Sequence, residues 1–185
     1  MRIIAGKWRG KRLVAPLGED TRPTSERARQ ALFDMLWHSP WAGREVVEDA
    51  IVLDAFAGTG ALGLEALSRG AARASFIEKD RAALISLRTN IATCGAEAPG
   101  EVQVLAGDAT KPPRPMQAAT LVFIDPPYGS GLLGTALEAL DKAGWIAPGA
   151  LLCTELGLRD PIPETRFAQL ADRQHGKARL LILQA

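Results

Sequence analysis

Apolar and polar positions change their spacing along the chain, and each change marks an element. Arg2-Ile3-Ile4-Ala5, Gly6-Lys7-Trp8-Arg9-Gly10 and Lys11-Arg12-Leu13-Val14 predict an opening β-hairpin with its turn at the glycines. Residues 16–23, with prolines at both ends, are a connector. Thr24 or Ser25 then caps a helix whose apolar residues Ala28, Ala31, Leu32, Met35 and Leu36 recur at helical spacing. Arg27 and Arg29 fall off that stripe and are expected to face solvent or a ligand. From residue 50 short continuous apolar runs take over, as in strands buried on both faces: 51–53, 74–77, 102–105, 121–124 and 150–155. Helical patterns lie between them, one stopping at Gly70, one capped by Asp80 and ending before Gly95, and one near 131–143. Strands near 165–171 and 178–184 close the chain with no room for a helix between them, which predicts an antiparallel hairpin at that edge. The alternation predicts an α/β fold, a doubly wound, mostly parallel seven-stranded sheet.

With 185 residues, 47% hydrophobic and 23% charged, the chain can bury a core without staples. That excludes a disordered, collagen-like, coiled-coil or disulfide-scaffold protein. Cys94 and Cys153 lack metal-ligand spacing and fit a reducing compartment, so no metal is expected. No apolar run approaches the roughly 20 residues of a membrane helix, and the N-terminus does not read as a signal peptide. A cytoplasmic monomer is expected. The net charge of +1 hides a split: residues 1–44 hold nine Lys or Arg against four Asp or Glu, and the remainder thirteen against seventeen. Residues 1–44 are therefore expected to be a basic hairpin-and-helix extension of the same compact unit, and 45–185 the main domain. A basic arm suits a polyanionic partner, although a solvated basic hairpin explains the charge equally well.

Asp54-Ala55-Phe56-Ala57-Gly58-Thr59-Gly60-Ala61-Leu62-Gly63 lies between a strand and a helix, and Glu78 ends the next strand. The GxGxxG spacing, followed by an acid about 20 residues on, points to a nucleoside-containing cofactor without naming it. Asp54 puts a negative charge where a pyrophosphate would pass, which favours a cofactor with a cationic end. Asp108, after the third strand, can accept from an adenine amine.

Asp125-Pro126-Pro127-Tyr128 follows the fourth strand, so it shares the carboxyl edge of the sheet with the glycine loop. The prolines remove two backbone donors and leave carbonyls free to accept. Asp125 and the Pro126 carbonyl can thus receive both hydrogens of an –NH2 group, while Tyr128, the only tyrosine, can stack on a base. Such a grip aims the amine lone pair at an electrophile and needs no nucleophilic Ser or Cys.

Together the two motifs resemble the Rossmann-like class I S-adenosylmethionine methyltransferases that act on exocyclic amines. The opening residues 2–10, Arg22-Pro23-Thr24 and the helix through Arg27, Arg29, Ala31, Leu32 and Phe33 narrow the resemblance to the RsmD family. It spans essentially the whole chain. It implies methylation of the N2 amine of guanine 966 in 16S ribosomal RNA, on the 30S subunit or an assembly intermediate. By the same resemblance Asp54, Phe56, Gly58 and Gly60 would hold the methionine part of S-adenosylmethionine. Glu78 would take the ribose, with Lys79, Asp108 and Ala109 around the adenine and Thr24 closing over it. Asp125, Pro126, Pro127 and Tyr128 would form the catalytic segment. Arg2, Lys7, Trp8, Arg9, Lys11, Arg12, Arg22 and Arg27 would meet RNA, Trp8 by stacking on a base or else by packing on the domain. Members often carry an aromatic before the glycine joining the last two strands, whereas this chain reads Arg173-Gln174-His175-Gly176-Lys177 there. His175 is expected to be a solvent-facing turn residue rather than a catalytic base.

Three other readings compete. Adenine-N6 methylation of DNA or RNA would use the same Asp-Pro-Pro-Tyr segment, but the chain has no region long enough for a separate DNA-recognition domain. A nicotinamide-dependent oxidoreductase would explain the glycines and leave the Asp-Pro-Pro-Tyr segment unexplained. A non-catalytic RNA-binding module would leave both motifs without a purpose.

Overall fold

The buried apolar runs become adjacent strands of one sheet. The computed structural model describes residues 1–16, 26–96, 98, 100–176 and 178–185. Thr24 or Ser25 as a helix cap, and Arg22, Thr24 and Lys177, lie outside the described residues. The strands are β1 (Ile51–Ala55), β2 (Arg73–Glu78), β3 (Val102–Ala106), β4 (Ala119–Ile124), β5 (Ile146–Gly157), β6 (Ala168–His175) and β7 (Ala178–Gln184). Their order is β3-β2-β1-β4-β5-β7-β6. From β3 to β5 all pairs are parallel, and β7 runs antiparallel to both β5 and β6. The expected closing hairpin thus forms the edge, with its second strand inserted next to β5.

Among the described residues the α-helices α1 (Glu26–His38), α2 (Ala61–Ser68), α3 (Arg81–Cys94) and α4 (Leu132–Ala143) cover the sheet. Asp80 caps α3 by accepting from the Ala83 N–H, and Gly95 ends it in the left-handed region, as the sequence predicts. Alternate strand residues feed two cores. On one face Val52, Phe76, Leu121 and Phe123 meet α1, α2 and α3 through Leu36, Leu64 and Leu87. On the other Leu53, Ile77, Val122 and Ile124 meet α4 through Leu133, Leu137 and Leu140. Among the described residues no helix is long and apolar enough to cross a membrane.

The opening arm differs from a regular hairpin. Its strands share one bridge, Arg2 with Arg12, flanked by the Ile3 N–H donating to the Lys11 carbonyl and the Leu13 N–H to the Met1 carbonyl, and the donors nearer the turn are spent on α2. The Ile4 and Ala5 N–H groups donate to the two carboxylate oxygens of Glu65, at 2.8 and 3.0 Å. The Lys7 N–H donates to the Ser68 carbonyl, and the Trp8 N–H to its hydroxyl. A Cβ on Gly6 would sit 1.8 Å from the Ser68 carbonyl oxygen at a φ of +80°, so only glycine fits.

Two expectations are corrected by this docking. Of the two readings of Trp8, stacking on RNA gives way to packing: the residue is 8% exposed and belongs to the core, with the Lys7 ammonium over its ring. Arg29 faces neither solvent nor ligand but is fully buried, and the inward face of α1 runs through 29, 32, 33 and 36. The reason is Glu65, equally buried, which pairs with Arg29 at 3.5 Å and Arg69 at 2.8 Å. Arg29 also donates to the Arg2 carbonyl, and the Arg69 guanidinium lies over the Phe33 and Trp37 rings. Burial lowers the Arg29 pKa, opposed by the Glu65 charge, and the guanidinium stays protonated.

Removing the carboxylate would strand two buried cations and two backbone donors. Glu65→Leu is therefore expected to lower unfolding free energy by about 3–5 kcal/mol in a denaturant titration. A loss below about 1 kcal/mol would show that the cluster does not hold the arm.

Candidate active site

Strand order reverses between β1 and β4, so the carboxyl ends of these neighbours flank the crevice where open α/β sheets bind ligands. The glycine loop leaves β1 there and the Asp-Pro-Pro-Tyr segment leaves β4. The three glycines do different work. A Cβ on Gly60 would meet Leu87 Cδ1 at 2.3 Å, and one on Gly63 would meet Phe76 Cε1 at 2.4 Å, so both permit close packing. A Cβ on Gly58 would find only the Phe56 carbonyl, at 4.0 Å, so this glycine borders open space. Phe56 itself holds φ at +62°, a left-handed conformation costly for an aromatic residue and typical of a constrained functional turn.

Glu78 ties the loop to the end of β2. One carboxylate oxygen accepts the Gly58 N–H at 2.7 Å, and the other accepts the Lys79 and Asp80 N–H groups. The first oxygen keeps a lone pair for a ligand hydroxyl. Asp54 lies beneath the loop, 1% exposed, with Oδ2 accepting the Gly63 N–H at 2.8 Å. Burial drives its pKa well above the ordinary carboxylate value, the Gly63 bond opposes this, and the charges of Asp125 and Glu78 add to it. Asp108 is bonded by the Thr110 backbone and hydroxyl and paired with Lys79 at 3.3 Å. The Thr110 bonds, then Lys79, hold its pKa below the ordinary value. Ala109 is buried beside it.

On the other flank Asp125 is half-buried, Pro126 buried and Pro127 exposed. Tyr128 presents 42% of its surface, while its hydroxyl donates to Glu155 Oε1 on β5. Glu155 was not anticipated; its signal is a lone acid in the apolar run Leu151-Leu152-Cys153-Thr154-Glu155-Leu156. Glu65, inside the otherwise apolar α2, carries the same signal. Asn90 was also missed, although it interrupts the buried stripe of Leu87, Ile91 and Cys94. Fully buried, its side chain accepts the Val14 N–H and donates to the Val14 and Thr59 carbonyls, joining the arm to the glycine loop. No group of three His, Cys, Asp or Glu residues suited to a metal occurs among the described residues.

The cations named for RNA divide into two sets. Arg2 pairs with Glu26, Lys7 pairs with Glu101, and Lys11 caps the end of α3 through the Thr93 and Cys94 carbonyls. Arg9, Arg12 and Arg27 are exposed and make no ion pair among the described residues. Arg2, Arg9 and Arg27 outnumber the acids Glu26 and Asp34 in the lining of a cavity of about 520 Å³ between the arm and α1, shared with Gln30 and His175. Arm, helix and β6 thus meet around one basic concavity.

A family model described as conserved hypothetical protein 95 matches residues 1–184. Ribosomal RNA small subunit methyltransferase D of Escherichia coli is 42% identical over 166 residues, covering 88% of this chain and 78% of that protein. The enzyme of the same name from Haemophilus influenzae is 35% identical over 164 residues, covering 88% and 81%. Among solved structures, yhhF, a candidate methyltransferase of Escherichia coli, superposes with a TM-score of 0.83 at 37% identity, covering 100% and 97%. An RNA methyltransferase from Salinibacter ruber, solved with S-adenosyl-L-homocysteine, shares the fold at 17% identity and a TM-score of 0.63, covering 88% and 93%. A match across nearly the full length, with the glycine loop and Asp-Pro-Pro-Tyr segment at one edge of the sheet, places this chain in the RsmD family of class I methyltransferases.

Proposed function

We propose that this protein transfers a methyl group from S-adenosylmethionine to the N2 amine of a guanine in 16S ribosomal RNA of the small subunit. The observation that carries this is the Asp125–Tyr128 segment facing the glycine loop across the β1/β4 switch point, in a chain of this family. The residues present fit the cofactor. Gly58 borders open space, Glu78 keeps an acceptor position, and Glu78 and Asp125 put negative charge beside the loop, with Asp54 beneath it able to ionise when a cation binds. Such a field attracts an ammonium and a sulfonium and repels the pyrophosphate of a nicotinamide dinucleotide.

When bound, the cofactor supplies an electrophilic methyl on a positively charged sulfur. Phe56, Gly58 and Gly60 would shape its methionine cradle, and Asp54 would act from beneath through its field. Glu78 would accept a ribose hydroxyl, with Lys79, Asp108 and Ala109 around the adenine. Asp125 and the Pro126 carbonyl would accept the two amine hydrogens and turn the nitrogen lone pair toward the methyl, with Pro127 keeping the segment stiff. Transfer would break the S–CH3 bond, leaving a neutral thioether, and would release one amine proton that Asp125 would hold on its way to water. Tyr128 would stack on the base. Arg9, Arg12 and Arg27 are the cations available to phosphates, and the cavity between arm and α1 fits a path for the RNA. Arg2, Lys7 and Lys11 could join them only by exchanging their present partners. Arg22 and Thr24 are retained from the family pattern, as RNA and cofactor contacts respectively.

Tritiated methyl transfer to 30S particles, free 16S RNA and DNA, with mapping of the modified base, tests the assignment; label at an adenine or on DNA would overturn it. Asp125→Ala is expected to cut transfer by about hundredfold or more while S-adenosylhomocysteine still binds in calorimetry. Near-normal turnover would remove Asp125 from the mechanism.

Asp54 makes a second prediction. Its folded pKa is raised, so its contribution to stability is full below the ordinary carboxylate range and is lost as pH rises through the folded value. A bound cation favours the ionised form, so cofactor binding should release a proton within that window and strengthen as pH rises. Calorimetry in buffers of different ionisation enthalpy should detect the release in the wild type and not in Asp54→Asn. Replacing Arg9 and Arg27 together by Ala should reduce the salt dependence of RNA binding by about two in log–log slope, leaving cofactor affinity unchanged. Equal loss of both affinities would instead indicate damage to the fold.

A further inference from the structure

We propose that Glu155 is a positioning residue for the target base and acts by anchoring the Tyr128 hydroxyl. The inference rests on the reading above in which Tyr128 stacks on the guanine. Ile124 of β4 pairs with Thr154 of β5, so Asp125 and Glu155 are the next residues along two neighbouring strands at the carboxyl edge of the sheet. Adjacent strands lie about 4.8 Å apart, which puts the Glu155 backbone beside the segment that would hold the amine. From there its carboxylate reaches the Tyr128 hydroxyl across the two prolines. The ring is thereby tethered at its hydroxyl while 42% of the residue's surface remains exposed.

An acid at this position is costly for stability. Glu155 is 8% exposed, and its Oε2 is buried with no hydrogen-bond partner among the described residues. Its buried neighbours on the strand include Leu151, Leu152, Cys153 and Leu156 alongside Thr154, and an apolar residue would satisfy packing at lower cost. Burial raises the Glu155 pKa, while the Tyr128 bond and the charge of His175 oppose the rise. His175, whose charge acts on Glu155, also lines the cavity between the arm and α1. Holding the ring before the base arrives removes the entropy of ordering it on binding. That is worth roughly two- to tenfold in apparent RNA affinity for one immobilised side chain.

A double-mutant cycle tests this. Tyr128→Phe and Glu155→Leu are each expected to raise KM for 30S RNA by roughly two- to tenfold, and the double variant by no more than either alone. Glu155→Gln retains an acceptor for the phenol and should stay within about twofold of wild type. Cofactor affinity should not move in any of them. Effects that multiply in the double variant, or an unchanged KM in Glu155→Leu, would overturn the proposal. If Glu155→Leu does not fold, Tyr128→Phe decides alone, and an unchanged KM refutes the anchor. Because Tyr128 is the only tyrosine, selective labelling gives one ring signal in NMR, readable without RNA. That signal should shift in Glu155→Leu and hold in Glu155→Gln. Should the wild type methylate no RNA, the functional reading fails, and an unshifted signal would separately refute the anchor.

Discussion

One buried carboxylate organises the N-terminal third of this protein. Glu65 sits in the middle of α2, out of solvent, and receives two backbone donors from the arm, Arg29 from α1 and Arg69 from its own helix. A lone acid in that place would be severely destabilising, as would either arginine. Each is tolerated because the others are present, so arm, first helix and catalytic body must assemble together. The guanidinium nitrogens are incompletely satisfied, which argues that the cluster specifies a unique docking rather than supplying surplus stability.

That docking also connects the arm to the site. Asn90 links Val14 at the end of the arm to Thr59 in the glycine loop, both through backbone groups. The loop is further held by Glu78 from β2 and by Asp54 from β1. An amide, two carboxylates and a strained Phe56 therefore shape one turn of about five residues. A cofactor bound there would meet a turn already arranged, with little ordering left to do.

Charge divides along the same lines. The acids of the body converge on the crevice at the carboxyl edge of the sheet, where they create a field suited to a cationic ligand. The cations of the arm do not all remain available for a polyanion. Lys7 and Lys11 fasten the arm to the body, while Arg9, Arg12 and Arg27 stay outward-facing. The same excess of positive charge thus serves attachment and presentation, and only some of it remains for RNA.

The amino-acid sequence by itself determined the order of elements, the doubly wound sheet and the two chemical motifs. Those depend on local signals: apolar runs, caps such as Asp80, and glycines and prolines whose backbone demands hold in any context. It also put both motifs at one edge of the sheet, because strand-to-helix turns in such a sheet all open there. Tertiary structure decided where individual polar side chains go. Arg29 read as a solvent residue because periodicity alone assigns charge to the outside, and its buried partner lies 36 positions away. Trp8 read equally well as a stacking ring or a packing one, and the spent donors around Ser68 made it core. Glu155 could not be linked to Tyr128 from their spacing, since the contact exists only when β5 lies beside β4. Pairing across strands and helices is long-range, and one-dimensional pattern carries no information about which polar group will meet another.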